Sequence, residues 1–128
     1  MKLVLDTNTI INFLGENQAT IDLISLISQY ECYVSVITKL ELLKYPDITQ
    51  EEEKLIHDFL QVVPQVPIYN AIEGETIAIS RAMKLKLPDA IIAATAIVHN
   101  AELVTDDPHF LNCGYPKLRV RKASKDNG

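Results

Sequence analysis

Short aliphatic runs alternate with segments of helical periodicity along almost the whole chain, and this alternation restricts the fold more than any other feature. "KLVLD" (2–6) has the pattern of a buried strand, closed by an acid. "TIINFLG" (9–15) reads as a short helix stopped by Gly15, and "ATIDLISLISQY" (19–30) repeats Ile21, Ile24 and Ile27 at helical spacing. "CYVSV" (32–36) is β-branched and aromatic, as a strand would be, and "TKLELLKY" (38–45) predicts a helix that stops before Pro46. "TQEEEKLIHDFLQVV" (49–63) opens with Thr49 and Glu52 in capping-box spacing and gathers Leu55, Ile56, Phe59 and Leu60 on one side. "QVPIY" (65–69) predicts a strand that Pro67 confines to an edge. Helices over 71–86 and 88–101 follow, then strands "ELVT" (102–105) and "LRVR" (118–121). Strands separated by helices pair in parallel, so a parallel α/β sheet covered on both faces is expected. One domain over 1–122 accounts for the pattern, with residues 123–128 as a frayed tail.

At 128 residues and 48% hydrophobic content the chain is long enough for one buried core. The net charge of −5 argues against a generic nucleic-acid coat, which needs a basic surface. It leaves open a nucleic-acid enzyme whose acids hold metal ions, because bound cations reverse the local charge. Cys32 and Cys113 lie far apart and match no metal or redox spacing, so they are expected to be free thiols in a reducing cytoplasm. The apolar start "MKLVLDTN" is too short for a signal peptide, and "DAIIAATAIV" falls well short of the ~20 residues of a membrane span. A cytoplasmic chain without a membrane partner is the expectation.

In an open parallel sheet, ligands bind beyond the carboxyl ends of the strands, and the acids fall there. Asp6 ends the first strand, Glu41 lies a turn into the helix after the second, Asp89 opens the helix leading to the fourth, and Asp106 and Asp107 follow that strand. Each has a private explanation. Asp6, with Thr7 and Asn8, could cap the next helix, and "TKLE" (38–41) is itself a capping-box pattern. Asp89 after Pro88, and Asp106 or Asp107 before Pro108, fit helix starts. Yet Ser, Thr or Asn would cap as well without charge. Close carboxylate pairs repel by ~1–4 kcal/mol depending on dielectric. Acids gathered in this way suit Mg²⁺ or Mn²⁺, hard cations that prefer oxygen ligands.

"VLDTN", "VITKLELL" around Glu41, "LPDAIIAATA" around Asp89 and "LVTDDPHF" resemble, in order and spacing, the four blocks of a PIN domain, most closely the VapC-type toxins of toxin–antitoxin pairs. The resemblance spans nearly the whole chain. It implies a PIN-like three-layer α/β/α fold, with a mainly parallel five-stranded sheet flanked by helices, and metal-dependent cleavage of RNA. Asp6, Glu41 and Asp89 match the principal acids; the fourth block is ambiguous, its spacing favouring Asp107 while the adjacent Asp106 could also contribute to the metal. Asn8 and Thr105 match polar positions beside the metal. The implied chemistry is endonucleolytic hydrolysis by a metal-activated water, leaving 5′-phosphate and 3′-hydroxyl ends.

An RNA substrate, tRNA or rRNA among the possibilities, needs positive charge. Lys84, Lys86, Arg119, Arg121 and Lys122 are the candidates, with Lys39 and Lys44 flanking Glu41. A charged, solvated edge strand explains "KLRVRK" at least as well. His109 could assist at the site, although ordinary surface or packing roles are preferred for it and for His57 and His99. Aromatics are few, which favours recognition of RNA by shape. The resemblance further implies a cognate antitoxin and a homodimer, and the apolar helix 19–30 could form the antitoxin's groove or simply be core. The rivals are a non-toxin PIN nuclease of RNA processing, a catalytically inactive PIN binding module, and a Mg²⁺-binding receiver domain. A receiver would require a phosphoacceptor that "QVPIYN" does not supply.

Overall fold

The computed structural model describes residues 1–15 and 17–124, with residues 17–21 described in their backbone only. In chain order the elements are β1 (Lys2–Leu5), α1 (Thr7–Gly15), α2 (Asn17–Gln29), β2 (Glu31–Ser35), α3 (Val36–Leu43) and α4 (Gln50–Val62). They continue as β3 (Gln65–Val66), α5 (Asn70–Ala82), α6 (Leu87–Val98), β4 (Glu102–Val104), α7 (Pro108–Leu111) and β5 (Val120–Arg121). The strands form one five-stranded sheet in the order β3-β2-β1-β4-β5, every pair parallel. The chain steps outward from β1 to β3 and then returns to the other side of β1. Its direction therefore reverses between β1 and β4, where the carboxyl ends part to leave a crevice.

The unbroken aliphatic run of β1 follows from that central place. Leu3 and Leu5 bury against Ile10, Phe13, Leu42, Phe59 and Leu60, the layer formed by α1, α3 and α4. Val4 buries on the other face with Ile79, Ala90, Ala93 and Ala96, the layer of α5 and α6. A central strand of a parallel sheet has no wet face, so apolar residues need not alternate with polar ones. Full burial of such a side chain stabilises by roughly 1.5–3 kcal/mol. From Ala90 to Ala96 every residue of α6 is buried, and the small alanines hold the helix close to the sheet.

Local chemistry explains the element ends. The Thr49–Glu52 capping box of α4 forms reciprocally. At α3, however, Ser35 is the N-cap and its hydroxyl accepts from Ile37 N–H, so "TKLE" is not the capping box that its spacing suggests. Thr38 is instead buried inside the helix. The helix expected over 71–86 ends at Ala82, where Met83 turns extended, so 83–86 form a connection into α6. The strands expected over 65–69 and 118–121 contract to two residues each. Ala123 and Ser124 are tied down rather than frayed: Asp106 Oδ1 accepts from both backbone N–H groups at 3.0 Å. Residues 125–128 of the expected tail lie outside the described residues. Among the described residues no helix is long and apolar enough to cross a membrane.

Candidate active site

Asp6 leaves β1 at the switch point and is buried, at 3% exposure. Its Oδ1 accepts from the backbone N–H of Thr9 at 2.8 Å, which caps α1. Its Oδ2 accepts from the Thr105 hydroxyl at the end of β4. Thr105 Oγ1 also accepts from Asp107 N–H at 3.0 Å, so one threonine links the acid of β1 to the loop that carries the next acid. Burial pushes the Asp6 carboxyl above its ordinary value, the hydrogen bonds from Thr105 and Thr9 counter it, and the nearby Asp107 charge adds to the rise.

Glu41 projects from α3 toward the same end of the sheet and accepts from Thr7 Oγ1 at 2.7 Å. Thr7 Oγ1 lies 3.2 Å from Thr38 Oγ1; having a single proton, it gives that proton to the carboxylate and accepts from Thr38. This buttress is not readable from the sequence, where Thr7 is indistinguishable from a capping residue beside Asp6. The only available signal is its place in "LDTN", directly after an acid-ended strand.

Asp89 stands in the first turn of α6, behind Pro88, while Lys86 occupies the N-cap without a side-chain cap. Desolvation raises its pKa first, and the charges of Asp107 and Glu41 raise it further, against His109 and Lys86. The helix dipole makes the position tolerable; it does not neutralise the carboxylate.

The adjacent acids after β4 divide. Asp107 faces the cleft and caps α7, with Oδ1 accepting from His109 N–H at 2.9 Å. The His109 ring lies over it, Nδ1 2.9 Å from the same oxygen. Asp106 turns away to clasp Ala123 and Ser124. Asp6, Glu41, Asp89 and Asp107 thus line one cleft of about 90 Å³ together with Thr7, Asn8, Ile11, Tyr45, Ile92 and Phe110.

Two larger hollows flank it. One, about 380 Å³, shares Asn8, Glu41, Asp89 and Asp107 with the cleft and adds Lys84, Lys86 and His109. The other is an apolar groove of about 430 Å³ between α1 and α4, sharing Ile11 and Tyr45 and adding Leu14, Leu42, Ile48 and Leu55. On 19–30, offered by the sequence as either a groove or core, Leu23 is buried and Ile24 is exposed, and the side chains of 17–21 lie outside the described residues. Lys84 and Lys86 therefore reach the site. Arg119 and Arg121 do not: Arg119 donates to Asn100, and Arg121 pairs with Glu102 at 3.1 Å and covers the Tyr30 ring. Lys122 stands outside the lining of these hollows. His57 lies on α4 beside Glu53, and His99 ends α6 against Tyr33 and Tyr69, so neither lines the cleft. Cys32 and Cys113 are free, and burial pushes the Cys32 thiol up to about 11.

The donor set fits a hard divalent cation. It consists of carboxylate oxygens, two of them above their ordinary pKa through burial and mutual charge. Among the described residues no three acidic, histidine or cysteine groups form a ready ligand array.

The family model of the PIN domain matches residues 3–114. Among solved structures, the chain superposes on VapBC-1 from nontypeable Haemophilus influenzae with a TM-score of 0.80 and 23% identity, over 98% of this chain and 100% of that one. A toxin–antitoxin complex from Klebsiella pneumoniae gives 0.78 and 28%, over 96% and 98%. VapBC2 from Rickettsia felis, bound to a DNA fragment from its promoter, gives 0.79 and 19%, over 95% and 98%. No curated protein matches at a significant level. The likenesses below 25% identity show a shared fold alone, but the family model spans most of the chain, which belongs to the PIN-domain family.

Proposed function

We propose that the chain is a metal-dependent endoribonuclease and the toxin of a VapBC-type toxin–antitoxin pair. PIN domains are in general nucleases that use divalent metal ions. The observation that carries the reading is the convergence of Asp6, Glu41, Asp89 and Asp107 on one cleft at the switch point of the sheet. All the acids of the family pattern are present, which disfavours an inactive binding module. Asp6, Asp89 and Asp107 would hold Mg²⁺ or Mn²⁺, with Asp106 left to its clasp.

When bound, the cation supplies positive charge for the scissile phosphate and a water acidic enough to attack phosphorus near neutral pH. The chain's own work is positioning. Thr9 and Thr105 hold both oxygens of Asp6, so that carboxylate cannot swing away. Thr7 aims Glu41 across the cleft, where it can orient or deprotonate the attacking water. Asn8 lines the wall as a neutral donor. Lys84 and Lys86 contact RNA phosphates beyond the acids. The products carry 5′-phosphate and 3′-hydroxyl ends.

The test compares wild type with Asp6→Asn and Asp89→Asn on an RNA panel in Mg²⁺, Mn²⁺ or EDTA. Cleavage that persists in EDTA, or in both variants, sinks the mechanism. The toxin reading is supported by the 28% identity to the toxin–antitoxin complex from Klebsiella pneumoniae, and a cognate antitoxin is the expected partner. Arrested growth on expression in the cytoplasm, relieved by the adjacent partner gene product, checks it; normal growth leaves a housekeeping nuclease. A homodimer belongs to the same reading, with Leu40 and Ile77 exposed as apolar contacts, and light scattering tests it.

A further inference from the structure

Few aromatics in the sequence favour recognition by shape, yet of the two that line the cleft, Tyr45 and the buried Phe110, Tyr45 is exposed. Tyr45 is 49% exposed and lines both the acid cleft and the apolar groove. It follows the end of α3, one turn beyond Glu41, and Pro46 restricts its backbone to extended conformations. The Lys44 ammonium sits 5.6 Å from the ring centroid. Ile11, 40% exposed, lines the same two hollows. Lys84 and Lys86, with the His109 ring, line the hollow on the acids' other flank, which shares neither Tyr45 nor Ile11.

The two flanks of the acids thus offer different chemistry. On one, a shelf of Tyr45 and Ile11 heads a largely apolar groove that also carries Asp47 and Glu52; on the other stand the Lys84 and Lys86 ammonium groups. A nucleotide strand crossing the acids matches both, with backbone phosphates on the cationic side and a base against the shelf. A base inside a duplex has both faces covered by its neighbours, whereas an unpaired base presents a free face. A lysine beside the ring adds a partner for the adjoining phosphate.

Building on the nuclease reading, we infer that Tyr45 stacks on the base beside the scissile phosphate, and that this nucleotide must be unpaired. Tyr45 is therefore a binding residue that selects single-stranded RNA at the cut.

The experiment uses a short unstructured RNA bearing one 2-aminopurine, and the same strand annealed to its complement, with the intact protein in Mg²⁺. Tyr45→Ala should lower kcat/KM on the single strand about ten-fold, mainly through KM, within the range of one lost base stack. Tyr45→Phe should retain wild-type kcat/KM, and the duplex should be cut poorly by all three proteins. In an Asp6→Asn background, binding should quench the 2-aminopurine at the shelf position, and adding Tyr45→Ala to that background should abolish the quenching. Because the ring is exposed, matching circular dichroism melts will show that the variants fold. Equal kcat/KM for wild type and Tyr45→Ala overturns the inference and leaves the ring to a protein partner in the groove. Equal loss on single strand and duplex also overturns it, as does failure of Tyr45→Phe. If wild type cuts and binds neither RNA, the nuclease reading falls together with it.

Discussion

Two regions of the sheet treat charge in opposite ways. Along the β4–β5 edge, Arg121 is paired with Glu102 and lies over Tyr30, while Arg119 donates to Asn100. These charges have partners. At the carboxyl end of β1 and β4, Asp6, Glu41, Asp89 and Asp107 face one cleft. Among the described residues the ion-pair contact there is Asp107 with His109, at 2.9 Å and charged only when the ring is protonated. The first arrangement explains itself as structure. The second leaves more negative than positive charge at the topological switch point, where ligands bind, with Lys84, Lys86 and His109 offsetting four carboxylates only in part.

Breaking the acid cluster should therefore abolish function with little harm to the fold. Asp6→Asn or Asp89→Asn is expected to reduce RNA cleavage by about 10²–10³-fold in Mg²⁺, on the scale of lost transition-state electrostatics, measured as kcat on a labelled RNA. Thr105→Val should cost about 10–100-fold in metal affinity by freeing Asp6 and loosening the Asp107 loop, as loss of outer hydrogen bonds does, read by Mn²⁺ titration calorimetry. A wild-type affinity in that variant would show that Thr105 only packs.

The paired edge should respond the other way. Glu102→Gln should lower stability by about 1 kcal/mol or less, more at low salt than at high, and leave cleavage unchanged. Urea melts at two ionic strengths check it.

The smallest effect distinguishes the two regions most directly. Burial and like charge hold Asp6 and Asp89 above the ordinary value of 3.8, so the metal-free folded state binds protons more tightly than the unfolded chain. This destabilising contribution is absent below pH 3.8, grows as pH rises through the raised folded values, and is complete above them. Metal-free Asp89→Asn should be at least as stable as wild type at pH 7, by up to about 1 kcal/mol, and the difference should vanish toward pH 4. Added Mg²⁺ should stabilise wild type more than the variant. A marked loss of stability in metal-free Asp89→Asn would return the residue to a helix-start role.

How much of this was legible in the sequence depends on the range of the interaction. The capping box of α4 is a matter of four consecutive residues, and it forms as its spacing predicts. The similar "TKLE" does not, because Ser35 leaves β2 straight into α3 and caps it three residues earlier. Which of Asp106 and Asp107 faces the cleft is invisible in one dimension, because it depends on where Ala123 and Ser124 pass. Thr7 and Tyr45 escape notice for the same reason: their partners, Glu41 and the groove, belong to other segments. Arg121 looks available for RNA until β5 comes to lie beside Glu102.

The sequence by itself determined the parallel α/β class and the acids at the strand and helix ends, because periodicity and strand termination are encoded over a few neighbouring residues. Only the tertiary structure decided that these acids share one cleft, which threonines hold them, which cations stand beside it and which ring lies at its edge. Those outcomes depend on the strand order β3-β2-β1-β4-β5, which joins Asp6 to Thr105 across 99 positions of chain.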